Sequence, residues 1–231
     1  MRLRIFQHII NPLHIFIEFN KMKIINLDST SSTQNYLINL VKKDNLSENI
    51  AVVSKVQTDG IGSRDNNWIG EKGNLFFSIA MKKDLLPIDI PLQSFSIYFS
   101  YILKEILALE NPQLFLKWSN DFYIENLKVG GIVTNIVRDF IIIGIGINTV
   151  KSSEFGVLKT TLSNLEIVEK YILEIKKAQN WKYIFQRYSK EFDKSRIFST
   201  HIQGKKVSLK NAKLNFDGSI TIQGKQIFSL R

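Results

Sequence analysis

Phe140-Ile141-Ile142-Ile143-Gly144-Ile145-Gly146-Ile147-Asn148 is the stretch on which the fold turns. An apolar run of this length, rich in β-branched side chains, reads as a buried central strand. Gly144 and Gly146 interrupt it at alternate positions. Glycine weakens a strand, and it often marks a place where a ligand or another backbone comes close. Two such positions in one very apolar strand are hard to explain by packing alone. Asn148 ends the run with a side chain that both donates and accepts hydrogen bonds.

Working outward, Arg138-Asp139 reads as a hairpin turn from a strand at 129–137, with further strands at 114–117 and 122–125. Strands are also expected at 23–27, 50–56 and 75–81. Helices are expected from a Ser32 cap to about Lys43, with Tyr36, Leu37, Leu40 and Val41 on one face, and at 91–109, 165–177 and 181–193. Between 57 and 74 the periodicity is lost and Gly60, Gly62, Gly70 and Gly73 accumulate, so a long functional loop is expected. After Arg196 the elements become short strands, with Asp217-Gly218 as a hairpin signal. The reading is α+β: a mixed β-sheet flanked by helices at 22–196, and a separate small β module at 197–231.

The chain has 231 residues and no cysteine, which excludes disulfides and thiolate metal sites and favours a reducing, cytoplasmic setting. Its net charge of +10 is scattered in short pairs such as Lys82-Lys83 and Lys205-Lys206, as abundant Lys, Ile, Asn and Phe would produce without selection for nucleic acid. An acidic protein partner could still exploit the excess. Residues 1–21 are broken by His8, Asn11, Pro12 and His14, too polar to span a bilayer and without a signal-peptide ending. They are expected to be an N-terminal extension without a role in function.

Four segments carry candidate chemistry. Gln57-Thr58-Asp59-Gly60-Ile61-Gly62-Ser63-Arg64, ending in Trp68, allows close backbone approach to a ligand, although a glycine-rich loop alone is more often only a loop. Lys117-Trp118-Ser119-Asn120-Asp121 by itself reads as a strand end, a turn and a core tryptophan. Lys128-Val129-Gly130-Gly131-Ile132 sets a cation beside two glycines, or is a solvated lysine at a hairpin. Gly144-Ile145-Gly146-Ile147-Asn148 is the fourth.

Taken together, in this order, these segments resemble the biotin protein ligase family. That family carries a glycine-rich loop ending in Trp, then Lys-Trp-Pro-Asn-Asp, Lys-x-Gly-Gly-Ile and Gly-x-Gly-x-Asn elements. Ser32-Thr33-Gln34 stands where it has Ser-Thr-Asn or similar. The resemblance covers about Lys23 to Val150, and more faintly the last four residues. It implies a catalytic domain like that of class II aminoacyl-tRNA synthetases, with an SH3-like C-terminal module. It further implies a ligase that uses biotin, ATP and Mg2+ to make biotinyl-5′-AMP and passes biotin to a lysine of a biotin carboxyl carrier protein, an acetyl-CoA carboxylase subunit.

By position, the resemblance makes Lys128 and Arg64 the catalytic candidates. For biotin it suggests Ser32, Thr33, Gln34, Gln57, Gly60, Ile61, Gly62 and Ser63, with Lys128, Gly130, Gly131, Gly144 and Gly146. For ATP it suggests Arg64, Trp68, Lys117, Asn120, Asp121 and Asn148, with Asp121 the candidate magnesium ligand. Departures are Ile61 and Ser63 in place of loop arginines, Ser119 for proline, and Asn135 where an acidic residue is common. A lipoate or octanoate ligase shares the fold, but its arginine- and glycine-rich segment followed by histidine is missing. A biotin-responsive DNA repressor needs a helix-turn-helix, for which 21 residues are too few. No specific DNA and no membrane are expected as partners, and a monomer or homodimer.

Overall fold

In a computed structural model, which describes residues 16–19, 22–44, 46–62, 67–68, 70–150, 152, 155–202 and 204–228, the isoleucine run lies inside an eight-stranded sheet. Along the chain come β1 (Phe16–Phe19), β2 (Met22–Leu27), helix α1 (Thr33–Lys42), β3 (Ile50–Ser54) and a small ladder of β4 (Gly60–Ile61) with β5 (Asn67–Trp68). β6 (Leu75–Lys82) and α2 (Phe95–Leu107) precede β7 (Leu114–Lys117), β8 (Asp121–Ile124), β9 (Leu127–Val137) and β10 (Phe140–Ile147). Then follow α3 (Asn164–Ile175), α4 (Trp181–Ser189) and a 3-10 turn at Phe192–Ile197. The large sheet has the order β1-β2-β3-β6-β10-β9-β8-β7. β2 and β3 run parallel across the α1 connection, and its other pairings are antiparallel.

Strand periodicity sorts the two faces. Ile141, Ile143, Ile145 and Ile147 of β10 join Phe77, Ile79 and Met81 of β6 in the larger core, covered by α2, α3 and α4. Phe140 and Ile142 face the other way, with Ala80, Val52 and the α1 residues Leu37 and Val41. Gly144 and Gly146 continue this second face. Beyond the end of the small core, no large apolar side chain rises from the strand at these two glycines; Gln34 and Trp68 lie over them, and a candidate cleft opens there.

Ser32 caps α1, accepting from the Asn35 N–H at 3.3 Å. Thr33 and Gln34 are buried with Leu37 and Val41, whereas Tyr36 and Leu40 are only half-buried. The buried stripe thus starts a turn earlier than the apolar side chains alone suggest, because polar side chains fill its first turn. The helix expected at 91–109 is shorter: Leu92–Ser94 forms a 3-10 turn and the α-helix starts at Phe95. The loop of 57–74 holds the β4–β5 ladder instead of being structureless.

Phe16–Phe19 pairs antiparallel with β2 as the edge strand, within the segment expected to be an N-terminal extension without a role in function. Edge pairing is made by the backbone, so no side-chain pattern announces it. The rest of 1–21 lies outside the described residues.

At the C-terminal end, β11 (Ser199–Ile202) pairs with β12 (Lys205–Ser208), and β13 (Lys213–Leu214), β14 (Ile220–Ile222) and β15 (Lys225–Ile227) form a three-stranded sheet. The sequence did not signal β11. Asp217-Gly218 turns the chain between β13 and β14, with Gly218 at φ +77°. These strands share no sheet with the main body but do share its core: Leu209, Ala212, Ile220 and Ile222 belong to the same buried cluster as Ile97 and Trp118.

Candidate active site

The cleft is open to solvent and lies over the face of β6, β9 and β10 that carries Gly144 and Gly146. Its floor follows from strand register. Gly144 is flanked by Ser78 and Val133, and Gly146 by Phe76 and Gly131. Both glycines leave room for the side chains above them. A Cβ on Gly144 would come 2.3 Å from Gln34 Oε1, and one on Gly146 would come 2.6 Å from the Trp68 indole.

One end of the cleft is a polar cul-de-sac. Ser78 Oγ donates to Thr33 Oγ1 at 2.9 Å, and Gln57 Oε1 accepts from Thr33 N at 2.8 Å and from Thr33 Oγ1 at 2.9 Å. Gln34 lies flat on Gly144 with its amide nitrogen donating to Asn135 Oδ1 at 2.9 Å and to the Ile142 carbonyl at 3.2 Å. That fixes the orientation of the amide, with its nitrogen committed to these two acceptors. Gln34 Oε1 is buried and has no hydrogen-bond partner among the described residues. A buried acceptor left unmade costs ~1–3 kcal/mol, which a ligand N–H would recover.

The other end is cationic and aromatic. Lys128 Nζ lies 2.6 Å from Asp121 Oδ1, Lys117 Nζ lies 3.7 Å from Asp121 Oδ2, and Lys128 Nζ is 5.6 Å from the Trp68 ring centroid. Two ammonium groups against one carboxylate leave net positive charge at this end, with Lys128 on the cleft wall and Lys117 behind Asp121, which suits an anion. Burial, and then the Asp121 charge, push the Tyr123 hydroxyl up to about 12, so this ring beside Lys117 stays neutral. Trp68 is faced by Phe155, nearly parallel at 5°, with centroids 6.4 Å apart. The Trp68 indole N–H is buried without a partner among the described residues.

The cleft gathers Ser32, Thr33, Gln34 and Gln57 at its polar end and Ile61, Gly62 and Trp68 from the glycine-rich loop. Asn120, Asp121, Lys128, Gly131, Gly144 and Gly146 complete the expected lining. Gly60, Gly130, Lys117 and Asn148 are not on its wall. Gly60 supports the ladder, where a Cβ would come 2.5 Å from the Trp68 carbonyl, and Gly130 faces Ile147. Lys117 reaches the cleft through Asp121. Asn148 is buried and holds structure, donating to the Gly156 carbonyl at 3.2 Å and accepting from Asn74 at 3.3 Å. Asn120 donates to the Ile132 carbonyl at 2.7 Å, tying the β7–β8 turn to β9. Ser63 and Arg64 lie outside the described residues.

Sequence reasoning missed Ser78 and Phe155. Ser78 had a signal, as the one polar side chain of Leu75–Lys82 before its closing lysine. Phe155 had none, because only the tertiary fold brings it to Trp68.

A profile of the biotin/lipoate A/B protein ligase family matches residues 27–148. The chain belongs to that family. Its fold agrees with family structures: one of biotin acetyl coenzyme A carboxylase synthetase from Helicobacter pylori with bound biotinylated ATP is 37% identical, covers 90% of this chain and 100% of its own, and has a TM-score of 0.87. The biotin protein ligase from Aquifex aeolicus in complex with biotin and ATP, at 23% identity, a TM-score of 0.66 and coverage of 92% and 99%, agrees in fold. The bifunctional ligase/repressor BirA of Bacillus spizizenii is 31% identical over 137 residues, 57% of this chain and 42% of that protein. The chain thus spans less than half the length of this curated relative of the family.

Proposed function

We propose that this member of the family is a biotin protein ligase. The supporting observation is the Gln34 carbonyl oxygen, buried over Gly144 and held with its acceptor end inward by Asn135 and Ile142. The fused ureido ring of biotin carries N–H donors for it and a carbonyl for the hydroxyl and amide groups around Thr33, Ser78 and Gln57. The dithiolane of lipoate and the tail of octanoate carry neither, and would leave this buried polar end unpaired, the kind of mismatch that discriminates strongly. That argument favours biotin within a family that also includes lipoate ligases.

In the first step, an oxygen of the biotin carboxylate bonds to the α-phosphorus of ATP while the bond to pyrophosphate breaks. Lys128, at the border of the two ends, stabilises the negative charge gathering on the carboxylate and α-phosphate oxygens. Lys117 and Asp121 hold the nucleotide side, and Trp68 with Phe155 supplies aromatic faces for the base. In the second step, a carrier lysine amine attacks the mixed anhydride, an amide forms, and AMP and a proton leave. The protein acts by positioning and charge, without a covalent intermediate.

Magnesium expected with ATP finds a thin donor set. Among the described residues no three acidic or histidine side chains gather, and Asp121 is already engaged by two lysines. Such a metal would be held mainly by phosphate oxygens and water, and no step here runs through it. No helix of the described residues is long and apolar enough to cross a membrane, and the cysteine-free chain suits the cytoplasm. The acceptor we propose is a biotin carboxyl carrier domain.

Incubation with ATP, a carrier domain and either biotin or lipoate tests the reading. Biotin-dependent pyrophosphate release and streptavidin-detectable carrier are expected. Lipoyl transfer without biotinyl transfer would overturn it.

A further inference from the structure

The turn between β7 and β8 brings Lys117 and Asp121 to the cleft, yet its bulkiest side chain, Trp118, points elsewhere and is 1% exposed. Its backbone N–H donates to Ser195 Oγ at 3.0 Å in the 3-10 turn, and its indole N–H donates to the Gly218 carbonyl at 2.9 Å. Gly218 is at the tip of the β13–β14 hairpin, the far end of the C-terminal strands. Three consecutive carbonyls of that tip each accept from a side chain of the main body. Trp181 Nε1 reaches Phe216 at 2.8 Å, Ser94 Oγ reaches Asp217 at 2.5 Å, and Trp118 reaches Gly218.

The tip is built to be held still. Asp217 Oδ1 accepts from Ser219 N at 3.0 Å, Gln93 donates to Asp217 Oδ2 at 3.2 Å, and a Cβ on Gly218 would come 2.2 Å from Ser94 Oγ. On its other side the β7–β8 turn is tied to β9 through Asn120 and Ile132. Lys117 and Asp121 therefore hang on a turn clamped between the floor of the cleft and the C-terminal hairpin. Ser32, Thr33, Gln34, Gln57 and Ser78 belong to elements with no part in this clamp.

We infer that Trp118 is a positioning residue through which the C-terminal hairpin sets the nucleotide-side pair Lys117 and Asp121, leaving the biotin end independent. This rests on the proposed biotin ligase reading. It assigns the C-terminal strands a task in the adenylation step beyond covering the core.

The test is Trp118→Phe in the full chain, which keeps an aromatic ring and deletes the N–H, with Ser94→Ala as a milder second variant at the same tip. Calorimetry measures the dissociation constants of ATP and of biotin separately, and pyrophosphate release without carrier gives KM and kcat. The loss of one buried hydrogen bond predicts roughly a fivefold or greater weakening of ATP binding and rise in its KM, with biotin affinity within about twofold of wild type. The same split, smaller, is expected in Ser94→Ala. Equal losses for both ligands would reduce Trp118 to a general stabiliser, and no change for ATP in either variant would also overturn the inference. If Trp118→Phe does not fold, Ser94→Ala decides alone. A wild-type chain that binds ATP but not biotin would instead sink the functional reading, and the ATP comparison would still decide the role of Trp118.

Discussion

Asp121 holds the Lys128 ammonium at 2.6 Å while touching Lys117 at 3.7 Å. One carboxylate on β8 thus ties together two cations from the strands on either side of it, with Lys128 on the cleft wall and Lys117 behind. In the proposed reaction Lys128 meets charge that peaks in the transition state. Lys128→Ala should slow adenylation by about a hundredfold or more, with a smaller change in biotin affinity. Asp121→Asn should remove the carboxylate that aims both lysines and give a milder loss. Pyrophosphate release without carrier isolates the step, and near-normal release from Lys128→Ala would remove it from the mechanism.

The two strand glycines should fail differently. Gly144→Ala drives a methyl into Gln34 and Gly146→Ala drives one into Trp68. Each forces a packed neighbour aside, at a cost of ~1–3 kcal/mol. The first should weaken biotin binding about tenfold or more, and the second should act mainly on ATP. Titrating each variant with each ligand gives a two-by-two comparison. Swapped or uniform effects would mean that the cleft is read with its ends reversed.

A chain beginning at Met22 loses the β1 edge strand, which pairs with β2 but is four strands away from β10 in the sheet order. Such a chain should fold and biotinylate normally, with a melting temperature lowered by only a few degrees, ~2–6 °C. Activity lost at temperatures well below the new transition would show that the extension has a functional part.

Arg64 is the one arginine of the segment from Gln57 to Trp68, where the resembled ligases carry more. If it retains the reactive adenylate by charge-assisted hydrogen bonds, Arg64→Ala should release biotinyl-5′-AMP and label bystander albumin, while carrier labelling falls less. Albumin labelling and adenylate dissociation equal to wild type would assign retention to the backbone of the loop.

Much of this protein was legible in its residues. The run Phe140–Ile147 was read at its observed bounds because β-branched, uncharged segments of that length have few alternatives. Gly144 and Gly146 were recognisable as a place of close approach, and the order of the four motifs pointed to the family. Local chemistry was enough wherever the information lies within a few residues, as in the Ser32 cap or the Asp217-Gly218 turn. It was not enough for relationships between distant segments. That Gln34 turns its acceptor end inward depends on Asn135, a hundred residues later. That Asn148 is spent on Asn74 and Gly156, and that Phe155 faces Trp68, depend on where loops return. That Trp118 answers to Gly218 depends on a shared core. Hydrophobic periodicity reports which side of a strand is buried; only the packed chain determines which polar atoms are left without partners, and those atoms are what a ligand meets.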